Sequence, residues 1–365
     1  MTELAVQYRG GAADRPHVFA PIGPVKLNDN VASVPYEWRR WAAVNLIDGH
    51  PVQQLIDQMV ANGFDESLAY SMCTDLAGHP AVEAGRWTTD RLRTLESVLD
   101  MRQQLRSMST VGSDIEARSE LSGEEFLDDY YSANLPVKLT DLTRGWEAIG
   151  KWSPRYLASV IGAEPVEVMT GRDSDARFEI NSEQHKSTMP FDEYVDHVTS
   201  ASWSNDKYLV ANNHLLNKSA ATPLWSDFAI DRRYLDPEHA QGNVFLWFGP
   251  AGTMTPLHYD VMNLLFVQVV GRKSLMLISP LDTQCLYNDF GVYSEVDGAN
   301  PDLGRHPKFA RTRQFDITME PGEALFLPVG WWHHVTALST SVSVSFMNFL
   351  WPNSFNFHHP DIGDR

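Results

Sequence analysis

The spacing of apolar residues changes character partway along the chain. Over residues 35–108 the period is helical. Val52, Leu55, Ile56, Met59 and Val60 follow i, i+3, i+4, i+7, i+8, a single apolar stripe. Gly63 follows as a stop signal, and Asp65 stands where it can cap a next helix carrying Leu68, Met72 and Leu76 on one face. Leu92, Leu95, Leu99 and Leu105 make a third stripe. Apolar helical stripes usually mark core, so residues 35–110 are expected to form a small helical module, a structural prefix. The sharper reading is a dimerisation or substrate-docking element, which leaves a homodimer open. Residues 1–34, rich in Gly, Pro, Ala and Asp without a period, read as an extended N-terminal arm, and the polar stretch 109–120, STVGSDIEARSE, reads as a linker.

From Leu121 the pattern becomes one of short β-type runs between turns: 166–169, 208–211, 243–248, 264–270, 274–279, 324–328 and 340–349. Helical segments are expected at 123–131, 154–160 and 191–199. Many short strands with Gly/Pro turns predict a mainly β fold, a sandwich or barrel with flanking helices, over residues 121–365. In the last run Ser341, Ser343 and Ser345 alternate with Val342, Val344 and Phe346. That is a period-two strand with one small polar face, and a small polar interior face leaves room for a ligand inside a barrel.

Composition narrows the function classes. At 365 residues and 43% hydrophobic content the chain can bury a large domain and a smaller one. The formal net charge of -18 disfavours a broad phosphate-binding surface, so nucleic acid is not an expected partner. Cys73 and Cys285 lie far apart, outside any CxxC spacing, and read as small buried apolar residues. No run approaches the roughly 20 apolar residues that span a bilayer, and the N-terminus has no apolar stretch of signal-peptide length. The expectation is a soluble, cytoplasmic protein with no membrane partner.

The chemistry concentrates in two stretches. The first, WFGPAGTMTPLHYDVMNLLFVQVVGRKSLMLISP, contains His258-Tyr259-Asp260. Residues two apart on a strand point to one side, so His258 and Asp260 can offer an imidazole nitrogen and a carboxylate oxygen to one ion. A lone HxD is weak evidence. It sharpens because a later stretch, PGEALFLPVGWWHHV, brings His333 and His334 to another strand of the same domain. Two histidines and a carboxylate form the facial triad suited to non-haem Fe(II), because it leaves positions open for a co-substrate and dioxygen. Zinc is the competing metal.

TPLHYD, the downstream QVVGRK and the late GWWHHV, together over about residues 121–351, resemble the JmjC hydroxylases of the cupin-like branch. That branch includes factor-inhibiting-HIF-type asparaginyl hydroxylases and related arginyl, histidyl and tRNA-base hydroxylases. The resemblance implies a double-stranded β-helix (a JmjC/cupin jelly roll) with Fe(II) as metal and 2-oxoglutarate and O2 as co-substrates. Carried over motif by motif, His258, Asp260 and His333 are the implied iron ligands, with His334 on the other side of its strand. Lys273, fifteen residues after His258, is the implied partner of the distal carboxylate of 2-oxoglutarate, assisted by Thr255, Tyr208 and Ser345. Many relatives carry Asn six residues after the first ligand. Here Leu264 holds that place, and Asn263 is expected to reach the co-substrate through a local bulge. Asn212 is the candidate substrate contact.

The implied reaction is hydroxylation of a C–H bond coupled to decarboxylation of 2-oxoglutarate to succinate, on a peptide or protein side chain. A small-molecule or tRNA-base hydroxylase, an N-methyl demethylase and a non-catalytic metal-binding cupin are the alternatives. The polar stretch 288–313, with Asp297, Arg305, Arg311 and Arg313, reads equally as a binding lip and as a solvated loop.

Overall fold

A computed structural model describes residues 34–108, 114–210, 214–288 and 291–355. Apart from Val34, the expected N-terminal arm lies outside the described residues, as do 109–113 of the expected linker, Asn212, and 289–290 of the 288–313 stretch. The chain divides into two compact units, Met1–Met101 and Arg102–Arg365.

In the first unit, α1 (Tyr36–Ile47), α2 (Val52–Ala61) and α3 (Glu66–Ala77) lead into a long α4 (Pro80–Ser107). Trp38, Ala42 and Leu46 of α1 pack with Leu55, Ile56 and Met59 of α2 and with Ala69 and Cys73 of α3. Each such large apolar side chain contributes roughly 1.5–3 kcal/mol by leaving water. Gly63 takes a left-handed φ of +94°, and the Asp65 carboxylate accepts the Leu68 N–H at 3.1 Å, so both punctuation residues act as the sequence suggests. Arg86 and Arg93 of α4 donate to the carbonyls of Leu46 and Asp48, satisfying groups that the end of α1 leaves open. The third stripe departs from expectation: Leu92, Leu95 and Leu105 are exposed. Val82, near its start, is the buried residue of α4, and Leu99 is half-buried.

The second unit begins with a correction. Glu116–Arg118, inside the stretch read as a linker, forms β1 and pairs in parallel with β2 (Val137–Leu139). A small antiparallel ladder joins β3 (Pro165–Met169) to β4 (Lys186–Pro190). The eight strands that follow are β5 (Val244–Gly249), β6 (Met254–Tyr259), β7 (Leu264–Val270), β8 (Lys273–Ile278), β9 (Gln314–Met319), β10 (Ala324–Leu327), β11 (Trp332–Ala337) and β12 (Ser341–Phe346). They distribute between a six-stranded sheet, β1-β2-β10-β7-β12-β5, and a four-stranded sheet, β6-β11-β8-β9.

Successive strands β5/β6, β7/β8, β9/β10 and β11/β12 each divide between the two sheets, which is the double-stranded β-helix. The expected run 208–211 contributes isolated bridges, Tyr208 to Met169 and Leu209 to Phe248, rather than a strand. The β7–β8 turn needs Gly271. Its φ is +69°, and a Cβ there would lie 2.0 Å from the Thr340 carbonyl oxygen. This turn sets Lys273 at the first position of β8.

β12 is buried on both faces. Its Phe346 packs against Trp146 and Phe228, whereas its serines turn towards Trp247 and Gln268. Aromatic packing around Phe126, Tyr131, Phe326 and Phe349 closes the other end of the large sheet. Cys73 and Cys285 are both buried, as expected. Among the described residues no helix is long and apolar enough to cross a membrane.

Candidate metal centre

β6 and β11 are antiparallel neighbours in which His258 stands directly opposite His333. Opposed strand residues bring their side chains together on one face, and the two imidazole centroids lie 4.0 Å apart. Asp260 falls just past the end of β6. Its Oδ1 is 3.9 Å from His258 Nε2 and its Oδ2 is 3.8 Å from His333 Nε2. One ligand atom from each of the three side chains falls within 4.8 Å of the others.

The hydrogen bonds fix which nitrogens face inward. His258 Nδ1 donates to the Pro256 carbonyl at 2.8 Å, and His333 Nδ1 donates to the Trp331 carbonyl at 3.0 Å. Both rings are thereby held in the tautomer that turns the Nε2 lone pair towards Asp260, the arrangement a metal-binding histidine requires. Burial and the neighbouring His258 keep the His333 ring well below the usual imidazole range, hence neutral. Burial among apolar walls also raises the Asp260 carboxyl, opposed by His258. Two imidazoles with Nε2 turned inward and a carboxylate are the donor set of a divalent cation, and the residues present fit one.

His334 points away. Its ring packs against Gly298, and its Nε2 meets the Thr336 hydroxyl at 3.2 Å. The adjacent histidines are thus separated by the alternation of β11.

The three side chains line a cavity of about 350 Å³ between the two sheets. Thr255, Tyr208 and Lys273 line it as well. Lys273 is 2% exposed, donates to Tyr208 Oη at 3.0 Å, and meets no carboxylate among the described residues. Burial lowers its ammonium to about 7 and pushes the Tyr208 phenol upward. A nearly dry ammonium whose hydrogen-bond partner is a neutral phenol suits an incoming carboxylate.

Asn263 and Ser345 do not line the cavity. Asn263 Oδ1 accepts the Val329 N–H at 2.8 Å, and its backbone is clasped by Asn353, so this residue braces the turn before β11. Its amide oxygen is committed to this turn, on a side chain that is 1% exposed. The Ser345 hydroxyl accepts the Trp247 indole N–H at 2.9 Å and is fully covered. Trp247, not Ser345, faces the cavity.

Sequence reasoning missed Glu179, Trp247 and Tyr293, all cavity-lining. Tyr293 stacks on the His258 ring, with centroids 5.7 Å apart. It belongs to the 288–313 stretch, which divides: its start runs along β6, whereas residues 299–305 are largely exposed. Tyr259 N–H donates to the Val292 carbonyl and Ser294 N–H to the Leu257 carbonyl, adding an extra edge to β6. Val296 and Phe309 pack with Leu257, Met276, Ile278 and Trp332. Val292 and Tyr293 are the cavity-lining residues of the stretch among those described, and no apolar period announced them.

These features define a double-stranded β-helix with a metal-binding His-Asp-His triad. The match of residues 123–357 to the model of the cupin-like domain then places the chain in that family, whose JmjC members use Fe(II), 2-oxoglutarate and O2. The chain is similar to lysine-specific demethylase 8 of Xenopus tropicalis, 33% identical over 230 residues, which cover 61% of this chain and 50% of that protein. It is similar to lysine-specific demethylase JMJ30 of Arabidopsis thaliana, 33% identical over 250 residues, covering 66% and 55%. It is also similar to tRNA wybutosine-synthesizing protein 5 of Gallus gallus, 29% identical over 242 residues, covering 62% and 74%. The chain thus spans about half the length of the demethylases it matches.

Two outcomes follow. Calorimetric titration with Co(II) should show one site in the wild type, lost in His258→Ala, Asp260→Ala and His333→Ala and kept in His334→Ala; loss in His334→Ala alone would reverse the roles of the two histidines. For Lys273 the sign is set by a folded pKa near 7 against about 10.4 unfolded. The unfolded chain holds the extra proton between these values, so this group's penalty on the fold is full below about pH 7 and is relieved progressively as pH rises to about 10.4. The stability difference between wild type and Lys273→Met, from urea unfolding, should therefore move in favour of the wild type between pH 7 and pH 9.

Proposed function

We propose that the chain is an Fe(II)- and 2-oxoglutarate-dependent oxygenase that hydroxylates a C–H bond of a peptide or protein side chain. The observation that carries the reading is one cavity holding the convergent Nε2 atoms of His258 and His333, the Asp260 carboxylate and, on a neighbouring strand, the buried Lys273 ammonium.

His258, Asp260 and His333 would hold the metal. When bound, Fe(II) with 2-oxoglutarate and O2 supplies the oxidising chemistry: O2 and 2-oxoglutarate are consumed, succinate and carbon dioxide are released, and C–H becomes C–OH. Lys273 and Tyr208, bonded to each other, and Thr255 on β6 orient the distal carboxylate of the co-substrate. The apolar walls, among them Val261, Phe266, Leu275, Val292 and Val335, exclude water from the reacting end. Tyr293 and Glu179 face the remaining space and offer a phenol and a carboxylate to the substrate.

The names of the relatives bear on the substrate. Two are called lysine-specific demethylases and one a tRNA wybutosine-synthesizing protein. Removal of an N-methyl group by this chemistry also begins with hydroxylation of a C–H bond, so the demethylase reading shares the same site. The acidic balance of the chain does not set nucleic acid aside, because a protein named for tRNA modification is among the relatives. A protein side chain remains the favoured substrate, supported by the demethylase names.

The test is incubation with Fe(II), 2-oxoglutarate and oxygen, with and without peptide and tRNA pools. Succinate should form in the wild type, disappear in His258→Ala, and fall roughly ten- to a hundredfold in Lys273→Ala at limiting 2-oxoglutarate, by loss of the charge-assisted bond. A gain of one oxygen, or loss of a methyl group, on a peptide identifies the product class. Wild-type protein that retains metal and yields no succinate with any pool would favour the non-catalytic cupin.

A further inference from the structure

Arg172 is the largest charged side chain in the second unit's core. It is 1% exposed, yet it does not line the cavity. Its Nη2 donates to Glu179 Oε1 at 2.9 Å and to the Met254 carbonyl at 2.7 Å. Its guanidinium lies over the Phe178 ring at 4.2 Å and the Tyr208 ring at 5.1 Å, and its Nε is buried without a hydrogen-bond partner. Asn205 completes the cluster by accepting the Met254 N–H at 2.9 Å.

Stability does not account for this residue. A buried ion pair is often no better than apolar residues of the same volume, and an orphaned N–H adds to its cost. Its position does account for it. Met254 directly precedes Thr255, Tyr208 is the partner of Lys273, and Glu179 faces the substrate side of the cavity. One planar guanidinium therefore touches the supports of two groups assigned to the co-substrate and one assigned to the substrate. A lysine would keep the charge but not the fork and the stacking face. The small polar segment GRDSD around it has no period, so nothing in the spacing of residues pointed to it.

We infer that Arg172 is a positioning residue for the co-substrate: from behind the cavity wall it holds Tyr208 and the start of β6 in the geometry that receives the distal carboxylate. The inference rests on the oxygenase reading. It predicts a separation of effects, because the metal ligands are oriented by the Pro256 and Trp331 carbonyls rather than by Arg172.

The probes are Mn(II) and 2-oxoglutarate, read by calorimetry and by quenching of tryptophan fluorescence, since Trp247 lines the cavity. The proteins are the full-length wild type, Lys273→Met, Arg172→Lys, and Arg172→Gln combined with Glu179→Gln, which removes both charges together in case the single variant does not fold. The expected result is a rise of roughly ten- to a hundredfold in the Kd of 2-oxoglutarate for both Arg172 proteins, of the size outer-shell changes give, with Mn(II) affinity within about threefold of wild type. Unchanged 2-oxoglutarate affinity in a folded Arg172 variant would overturn the inference and leave the oxygenase reading intact. Parallel loss of Mn(II), 2-oxoglutarate and thermal stability would also overturn it, showing a structural role alone. Absence of 2-oxoglutarate binding by the wild type would instead remove the reading on which it rests.

Discussion

The site depends on one register. His258 on β6 and His333 on β11 are opposed in an antiparallel ladder, and each ring is pinned through Nδ1 by a backbone carbonyl two residues before it. A slip of β11 by one residue would turn His333 to the other face of the sheet and bring His334 inward in its place, opposite an unmoved His258. Several otherwise separate features serve to hold that register. Asn263 braces the turn leading into β11. The 288–313 stretch adds an edge to β6 and stacks Tyr293 on His258. Trp332 points into the core behind the sheet, against Tyr259.

The second constraint is electrostatic. The cavity wall carries a buried cation at one end and a carboxylate between two imidazoles at the other. Among the described residues Lys273 is turned to the Tyr208 hydroxyl and Arg172 to Glu179, while Asp260 has the two imidazoles at 3.9 and 3.8 Å. A divalent metal and a dicarboxylate would satisfy both ends, so the polarity of the protein itself argues for the two groups this family uses.

The parts of this arrangement legible in the sequence were those carried by a period. HxD on a strand places two side chains on one face, and the alternation of Trp332, His333 and His334 separates the inward histidine from the outward one. The stripe of α2 and the Gly63 stop were legible for the same reason. What the sequence hid came from tertiary burial. Ser345 has the right alternation, yet Trp247 covers it. Asn263 is near the first ligands in sequence, but its amide is taken by Val329. Leu92 and Leu95 repeat like core residues and are exposed. Arg172, Glu179 and Tyr293 lie on irregular segments, where no repeat tells which way a side chain turns.

The central claim is that the triad and the buried lysine together form a single metal-dependent site for a 2-oxoacid. Anaerobic equilibrium dialysis of 2-oxoglutarate, with and without one equivalent of Fe(II), addresses it most directly. The account predicts binding of one 2-oxoglutarate per chain that requires Fe(II), vanishes in His333→Ala and weakens in Lys273→Met. Binding that is indifferent to Fe(II), or equal in the His333→Ala and wild-type proteins, would contradict it.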